Sequence, residues 1–227
     1  MKIPPTGVIV AAAGEGRRLG SKLPKALVPV AGRPLFLYSI RIFSSCPFVR
    51  EIVLVLPGEW IDRIRKAHGR ELLRRHVIAL VAGGARRQDS VLRGLRATTA
   101  PIILVHDAAR PLVSREAVRD VAAAAARHGA AVLAAPAVDT VKIADPRGRV
   151  VETPDRSRVW LAQTPQGFRR KVLLTAYQAN GSDDATDDVQ LVERAGGKVV
   201  IVPSHNANFK ITTSEDLRRA EKVLDRQ

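Results

Sequence analysis

Near the start of the chain the apolar run Val8-Ile9-Val10-Ala11-Ala12-Ala13 breaks into Gly14-Glu15-Gly16-Arg17-Arg18-Leu19-Gly20, followed by Lys22-Leu23-Pro24-Lys25. A buried strand that opens into glycines lets backbone approach a ligand closely, and the N–H groups of such a turn face anions. Cations added to that cradle point to a polyphosphate. The dinucleotide-binding pattern does not fit, because Gly20 lies four residues after Gly16 rather than three. The Walker pattern fails on glycine spacing and on Ser21 preceding Lys22. The competing reading is a strand-to-helix turn with solvated arginines.

These residues need a scaffold. Near-continuous apolar runs predict strands at 8–12, 51–56, 77–81, 102–105, 131–135 and 199–202. Amphipathic stretches between them predict helices at 35–45, 60–66, 89–97, 115–128, 169–179, 187–195 and 215–225. The last helix has Thr212 and Glu215 at capping-box spacing, and Gly196-Gly197 end the helix before it. This alternation predicts an α/β fold: a Rossmann-like, doubly wound, mostly parallel sheet with ligands at the strand C-terminal ends. Gly14, Gly83 and Asp107 follow the first, third and fourth strands. One segment breaks the rhythm. Residues 136–158 hold three prolines and two short β-prone pieces, 140–143 and 149–152, around a Pro146-Arg147-Gly148 turn, and predict a protruding hairpin arm. A two-stranded hairpin is marginal alone and needs something to pack on.

Composition narrows the function classes. At 227 residues, 46% of them hydrophobic, the chain suits one globular domain over 1–227. No apolar run approaches the roughly 20 residues that span a bilayer, and the run at 9–13 is cut by charges without a cleavage pattern. A cytoplasmic protein without membrane contact is expected. The single cysteine, Cys46, excludes an internal disulfide and a cysteine-based metal cluster. The charge of +15 comes from 28 arginines and 9 lysines scattered along the chain. A nucleic-acid partner is not expected, because only 4% of residues are aromatic and no stacking platform appears. A positive field does favour a triphosphate and a sugar phosphate.

The glycine-rich loop resembles the signature loop of the nucleotidyltransferases related to sugar-nucleotide pyrophosphorylases. The rest of the chain narrows the resemblance to the family of 2-C-methyl-D-erythritol 4-phosphate cytidylyltransferases. It is carried by Gly83-Gly84 with Arg87-Gln88-Asp89-Ser90-Val91, by His106-Asp107-Ala108-Ala109-Arg110-Pro111 and by Asp139-Thr140-Val141-Lys142. Trp160 with Gln163-Thr164-Pro165-Gln166, Ala185-Thr186-Asp187-Asp188 and Asn208-Phe209-Lys210-Ile211-Thr212 complete it. These motifs follow the family's order from about residue 7 to residue 224.

The resemblance implies attack of a sugar-alcohol phosphate on the α-phosphorus of CTP with release of pyrophosphate, as a homodimer in which the 136–158 arm reaches across to the partner. The nucleophile is already a phosphate anion, so no general base is needed; the sequence shows no Ser/His/Asp arrangement, HExxH or Cys/His cluster. By the same resemblance Arg18, Lys25 and Lys210 are catalytic cations, and Ala12, Ala13, Gly14, Gly16, Gly84, Ser90, Asp107 and Ala108 bind CTP. Arg110, Thr164, Thr186 and Lys210 hold the acceptor, with Thr140 and Arg156 supplied by the neighbouring subunit. The implied cofactor is Mg²⁺ or another divalent cation, held mainly by the triphosphate with Asp107 as protein ligand. Several of these residues have plainer readings: Ser90 as a capping hydroxyl, Lys25 as an exposed lysine beside a proline turn, each threonine as a strand or cap residue, and His106 as structural. Ala85 stands where many relatives carry an acidic residue, and Asp187-Asp188 replaces the commoner Asp-Glu. A relative with a different acceptor, such as ribitol 5-phosphate, and a basic nucleic-acid-binding protein on the same fold are the alternatives. The chain ends soon after its last helix, so no fused second enzyme domain is expected.

Overall fold

In the computed structural model, which describes residues 2–14, 16, 23–180, 184–204 and 208–225, the first apolar run forms β1 (Thr6–Ala11) at the middle of a seven-stranded sheet. Its side chains alternate between two cores. Val8 and Val10 face one side, where they pack with α1 (Leu35–Ser44), α2 (Ile61–Arg74) and α4 (Arg115–His128) through Phe36, Ile40, Phe43, Ile64, Val118 and Val121. Ile9 faces the other, with Val91 and Leu95 of α3 (Arg87–Arg96), Leu173 of α5 (Arg170–Asn180) and Val189 and Val192 of α6 (Asp188–Arg194). Burial on both faces is why these strands read as unbroken apolar runs. α3 can lie close on β1 because Gly94 has no side chain: a Cβ there would stand 2.6 Å from Ile9 Cγ2.

β1 pairs in parallel with β4 (Val49–Leu56) on one side and β6 (Ile102–Asp107) on the other, and β4 pairs with β5 (Val77–Ala82). Beyond β6 the order continues through β10 (Trp160–Arg169) and β7 (Ala130–Pro136) to β11 (Val200–Pro203). The chain leaves β1 toward β4 and β5, then returns to add β6 on the opposite side. The crevice between the carboxyl ends of β1 and β6 is thus a topological switch point, where open α/β sheets bind ligands.

The six expected strands are all present, within two residues at each end. The seventh, β10, was not expected, and it runs antiparallel to both β6 and β7. Its segment Gln163-Thr164-Pro165-Gln166-Gly167 carries a proline, a glycine and no β-branched aliphatic residue, which reads against a strand. Its neighbours decide otherwise. They pair Gln166 and Gly167 from both sides, while the β7 ladder breaks between Ala162 and Gln166, and bare Gly167 accommodates α4, whose Val121 Cγ1 would lie 2.9 Å from any Cβ placed there. Helix α2 runs eight residues past its expected end, because Leu72 buries itself in the core. The cap of α7 (Ser214–Leu224) is shifted by one from the expected pair: Thr213 accepts from the Asp216 N–H while Asp216 accepts from the Thr213 N–H. Gly196 ends α6 as expected, with φ of +77°. A small ribbon, β2 (Pro29–Val30) with β3 (Arg33–Pro34), precedes α1.

The arm is present but shorter in its pairing than expected. β8 (Ile143–Ala144) pairs with β9 (Val150–Glu152), and Thr140 lies outside the ladder. Asp145 builds the turn by accepting the N–H groups of Arg147 and Arg149 at 2.9 Å each. Val138, Ile143, Val150 and Val151 are exposed along it, Val138 to 80%.

Candidate active site

A cavity of about 620 Å³ opens at the carboxyl ends of β1, β5 and β6. It gathers Ala12, Ala13, Gly14, Gly16, Lys25, Gly84, Ser90, Asp107, Ala108 and Lys210 from six separate segments, together with Ala85, Arg86, Arg87 and Thr212. Arg18 lies outside the described residues. Arg110, Thr140, Arg156, Thr164 and Thr186 do not line the cavity.

Local backbone chemistry explains the assembly. Gly16 adopts φ of +69°, and a Cβ there would stand 2.5 Å from Lys25 Cβ. The loop after β1 therefore lies directly on the root of the Lys25 side chain, which only glycine allows. Lys25 opens a 3₁₀ turn, Lys25–Leu27, whose Ala26 and Leu27 are buried and anchor it. Gly83 likewise has no room for a side chain, since its Cβ would stand 2.4 Å from that of Ala13. Its N–H donates to Leu56 O at 2.8 Å.

Ser90 has a different job from a helix cap. Arg86 is the N-cap of α3, with Asp89 reaching back to its N–H. Ser90 Oγ accepts the Gly84 N–H at 2.9 Å and donates to Arg86 O at 3.2 Å. The hydroxyl closes the glycine loop upon itself, so the Gly84 N–H is already engaged. Likewise Ala12 N–H donates to Val55 O at 2.8 Å and Ala108 N–H to Ala11 O at 3.0 Å, extending the sheet pattern into the site.

Asp107 is the electrostatic centre. Its Oδ2 accepts from Lys210 Nζ at 2.7 Å and its Oδ1 from Arg87 Nε at 3.2 Å. Burial alone would raise its pKa, but the charges of Arg87 and Lys210 overcome this and hold it well below the usual carboxylate range. Arg87 also donates through Nη1 to Asp188 Oδ2 at 2.7 Å. Burial opposes its charge, yet Asp188 and Asp107 push its pKa up. Lys210 is carried to Asp107 by the next residue, whose N–H donates to Ala109 O at 2.8 Å.

Behind this centre lies a second network. His106 Nε2 is 3.1 Å from Arg110 O, which can only accept, so Nε2 carries the proton and Nδ1 accepts from the Thr164 hydroxyl at 3.1 Å. Thr164 Oγ1 in turn accepts the Asp107 N–H at 3.1 Å. Full burial lowers the pKa of His106 to about 4, and the ring stays neutral. Thr164 and His106 thus brace the backbone of the 107–110 turn. Arg110 donates through Nη1 to Asn208 O at 2.7 Å, while its Nε and Asn208 Oδ1 are buried without partners among the described residues. Thr186 is exposed, its N–H donating to Gln190 Oε1 at 2.9 Å. Arg156 is exposed on the arm and donates to Val138 O at 2.7 Å.

The parts sequence reasoning gave no role to are Arg87, Asp188, Gln166 and Asn208. The expected helix began at 89, so the sequence did not show that Arg87 is the first residue of α3, where the dipole disfavours a cation unless anions hold it.

The residues from 6 to 226 match the family model described as IspD, 2-C-methyl-D-erythritol 4-phosphate cytidylyltransferase. The chain belongs to this family. It is 42% identical to 2-C-methyl-D-erythritol 4-phosphate cytidylyltransferase of Symbiobacterium thermophilum, over 98% of this chain and 94% of that one. It is 45% identical to the enzyme of the same name from Saccharopolyspora erythraea, over 95% and 97%. Among solved structures, the 4-diphosphocytidyl-2C-methyl-D-erythritol synthase of Anaerococcus prevotii superposes with a TM-score of 0.84 at 30% identity, covering 99% of this chain and all of that one. The cytidylyltransferase of Thermus thermophilus superposes at 0.79 with 34% identity, over 96% and 98%. No helix among the described residues is long and apolar enough to cross a membrane.

Proposed function

We propose that this chain transfers the cytidylyl group of CTP to 2-C-methyl-D-erythritol 4-phosphate, giving 4-diphosphocytidyl-2-C-methylerythritol and pyrophosphate. The observation that carries the reading is the cavity at the β1–β6 switch point, which joins the glycine loop and Lys25 to the Asp107–Lys210 pair in a chain of this family. Its volume of about 620 Å³ suits a nucleotide.

A phosphate oxygen of the acceptor attacks the α-phosphorus of CTP; the new P–O bond forms as the bond to the bridging oxygen of the β-phosphate breaks. The electron pair leaves with pyrophosphate and no proton need move. What the protein supplies is alignment and charge. Lys25 and Arg18 neutralise the negative charge that builds on the equatorial and leaving oxygens, while Gly14 and Gly16 let the loop approach the phosphates. Lys210 faces the reacting phosphates with its ammonium held by Asp107. Ala13, Gly84 and Ser90 line the base end, Ser90 by shaping the loop. Arg110, Thr164 and Thr186 define the acceptor side, completed by Thr140 and Arg156 of a partner subunit whose arm covers its exposed valines against this chain.

Mg²⁺ fits this donor set only in a triphosphate-borne form. No group of three or more metal-ligating side chains occurs among the described residues, while each oxygen of Asp107 accepts one hydrogen bond and keeps a lone pair. Carried by the phosphates, with Asp107 as its one protein ligand, the ion would supply further charge neutralisation.

The test is pyrophosphate release from CTP and Mg²⁺ with a panel of sugar-alcohol phosphates, and with UTP in place of CTP. Release is expected with 2-C-methyl-D-erythritol 4-phosphate and CTP, with UTP strongly disfavoured because its exchanged donor and acceptor leave buried groups unpaired. Release with ribitol 5-phosphate instead would reassign the acceptor. No release with any acceptor, together with salt-dependent DNA binding, would overturn the reading.

A further inference from the structure

Arg87 touches two carboxylates that belong to different halves of the site. Its Nε donates to Asp107 Oδ1 at 3.2 Å and its Nη1 to Asp188 Oδ2 at 2.7 Å. Asp107 ends β6 on the nucleotide side. Asp188 opens α6 directly after Thr186 and Asp187, on the acceptor side. Arg87 itself follows the glycine loop that Ser90 closes. One planar guanidinium therefore ties Asp107 directly to Asp188, beside the hydrogen bonds Arg86 Nη1 to Asp184 Oδ1 and Ala185 N–H to Gln88 Oε1 that also join the start of α3 to the turn before α6.

Both ends are held from behind. Asp188 is fully buried, and its Oδ1 accepts the Tyr177 hydroxyl at 2.7 Å. The N–H groups of Asp188 and Val189 donate to Gln166 Oε1, whose own Nε2 donates to Asp187 Oδ2 at 2.8 Å. At the other end Lys210 occupies the second oxygen of Asp107. A shift of either carboxylate therefore strains a charge-assisted hydrogen bond to Arg87 and is felt at the other, a bridge that the planar, multi-donor guanidinium is suited to make.

We propose that Arg87 is a positioning residue that couples the two substrate sites, transmitting occupancy at Asp107 to the Thr186–Asp188 turn through its shared guanidinium. This rests on the reading of the cavity as a CTP site beside an acceptor site. CTP bound against Asp107 fixes that carboxylate, the guanidinium fixes Asp188, and the turn that presents Thr186 is ordered for the acceptor before it arrives. Coupling between two binding sites is reciprocal, so the acceptor tightens CTP by the same factor.

The test uses the full chain and a CTP analogue with a methylene bridge between its α- and β-phosphates, which binds without turnover. Equilibrium titration gives the Kd of 2-C-methyl-D-erythritol 4-phosphate with and without the analogue. In the wild type the analogue should tighten the acceptor by roughly 5- to 150-fold, the usual range for coupled sites. Arg87→Lys keeps one positive charge but cannot span both carboxylates. Its ammonium should stay with buried Asp188, and the ratio of the acceptor's Kd without and with the analogue should fall to within about twofold of unity, whatever each ligand's own Kd becomes. Asp188→Asn removes the other anchor and should lose the same coupling, and Arg87→Lys/Asp188→Asn together should lose no more than either alone. A merely structural Arg87 would lower the melting temperature and weaken both ligands equally, leaving the coupling factor intact. That result, in either variant, overturns the proposal, as does a wild type that turns over CTP without coupling. A wild type that neither binds the analogue nor turns over CTP removes the underlying functional reading and the proposal with it.

Discussion

Lys210 donates to Asp107 Oδ2 at 2.7 Å although the two residues are 103 positions apart. The pair is what makes Lys210 more than a surface cation: the carboxylate holds the ammonium in the lining of the cavity. Lys210→Ala is expected to lower kcat by on the order of 10²–10³ if the ammonium meets charge that develops on the phosphates. Asp107→Asn, which leaves Lys210 and Arg87 facing a neutral amide, should also lower kcat while the chain still folds. Steady-state kinetics with both substrates saturating checks this; normal kcat in the Lys210 variant would remove it from catalysis.

Alanine at Lys25 or Arg18 should lower kcat by a similar factor and CTP affinity by less, because the glycine loop and the metal still hold the ground-state triphosphate. A variant with normal kcat and only a raised KM would show that the cation binds CTP without aiding the reaction.

The neutral, buried His106 predicts an acid limb in stability. Its folded pKa is about 4, below the roughly 6.5 of an unfolded histidine. Between these values the unfolded chain takes up a proton that the folded chain refuses, so stability falls as pH drops from about 6.5 to about 4, by up to roughly 3 kcal/mol from this group. Asp107 acts later and in the same direction: its depressed pKa contributes stability above the unfolded value near 4, lost on further acidification. His106→Gln, which can still donate to Arg110 O, should flatten the limb above pH 4 in urea unfolding curves. An unchanged slope would place the titration elsewhere.

Apo or metal-free protein should bind CTP weakly and turn over nothing. EDTA is expected to abolish pyrophosphate release and added Mg²⁺ to restore it, since an ion held mainly by the triphosphate, without a cluster of protein ligands among the described residues, is open to the chelator. Full activity in EDTA would eliminate the metal.

If Arg156 serves the partner's site while Lys25 serves its own, mixed dimers of Lys25→Ala and Arg156→Ala chains contain one intact site and one with both lesions. Random re-dimerisation makes half the dimers mixed, so roughly a quarter of wild-type activity should return from two nearly inactive parents. If exchange is verified and activity stays at parental levels, Arg156 works within its own chain or plays no part.

The sequence by itself determined the sheet's inner strands, because a strand buried on both faces must be apolar throughout, as at Val8-Ile9-Val10 and Ile102–Val105. It also suggests a phosphate cradle after β1, because glycines and cations at short spacing act locally. Tertiary structure alone decided β10, whose Pro165 and Gly167 argue against a strand until β6, β7 and α4 close around them. It also decided what Ser90 and Thr164 do, since a hydroxyl in sequence names a capacity and only its neighbours say which backbone N–H fills it. Above all it decided the pairing of Arg87 with Asp107 and Asp188, 20 and 101 residues away. Charges carry no sequence mark of their partners, and which ones meet is settled by the packing that buries them together.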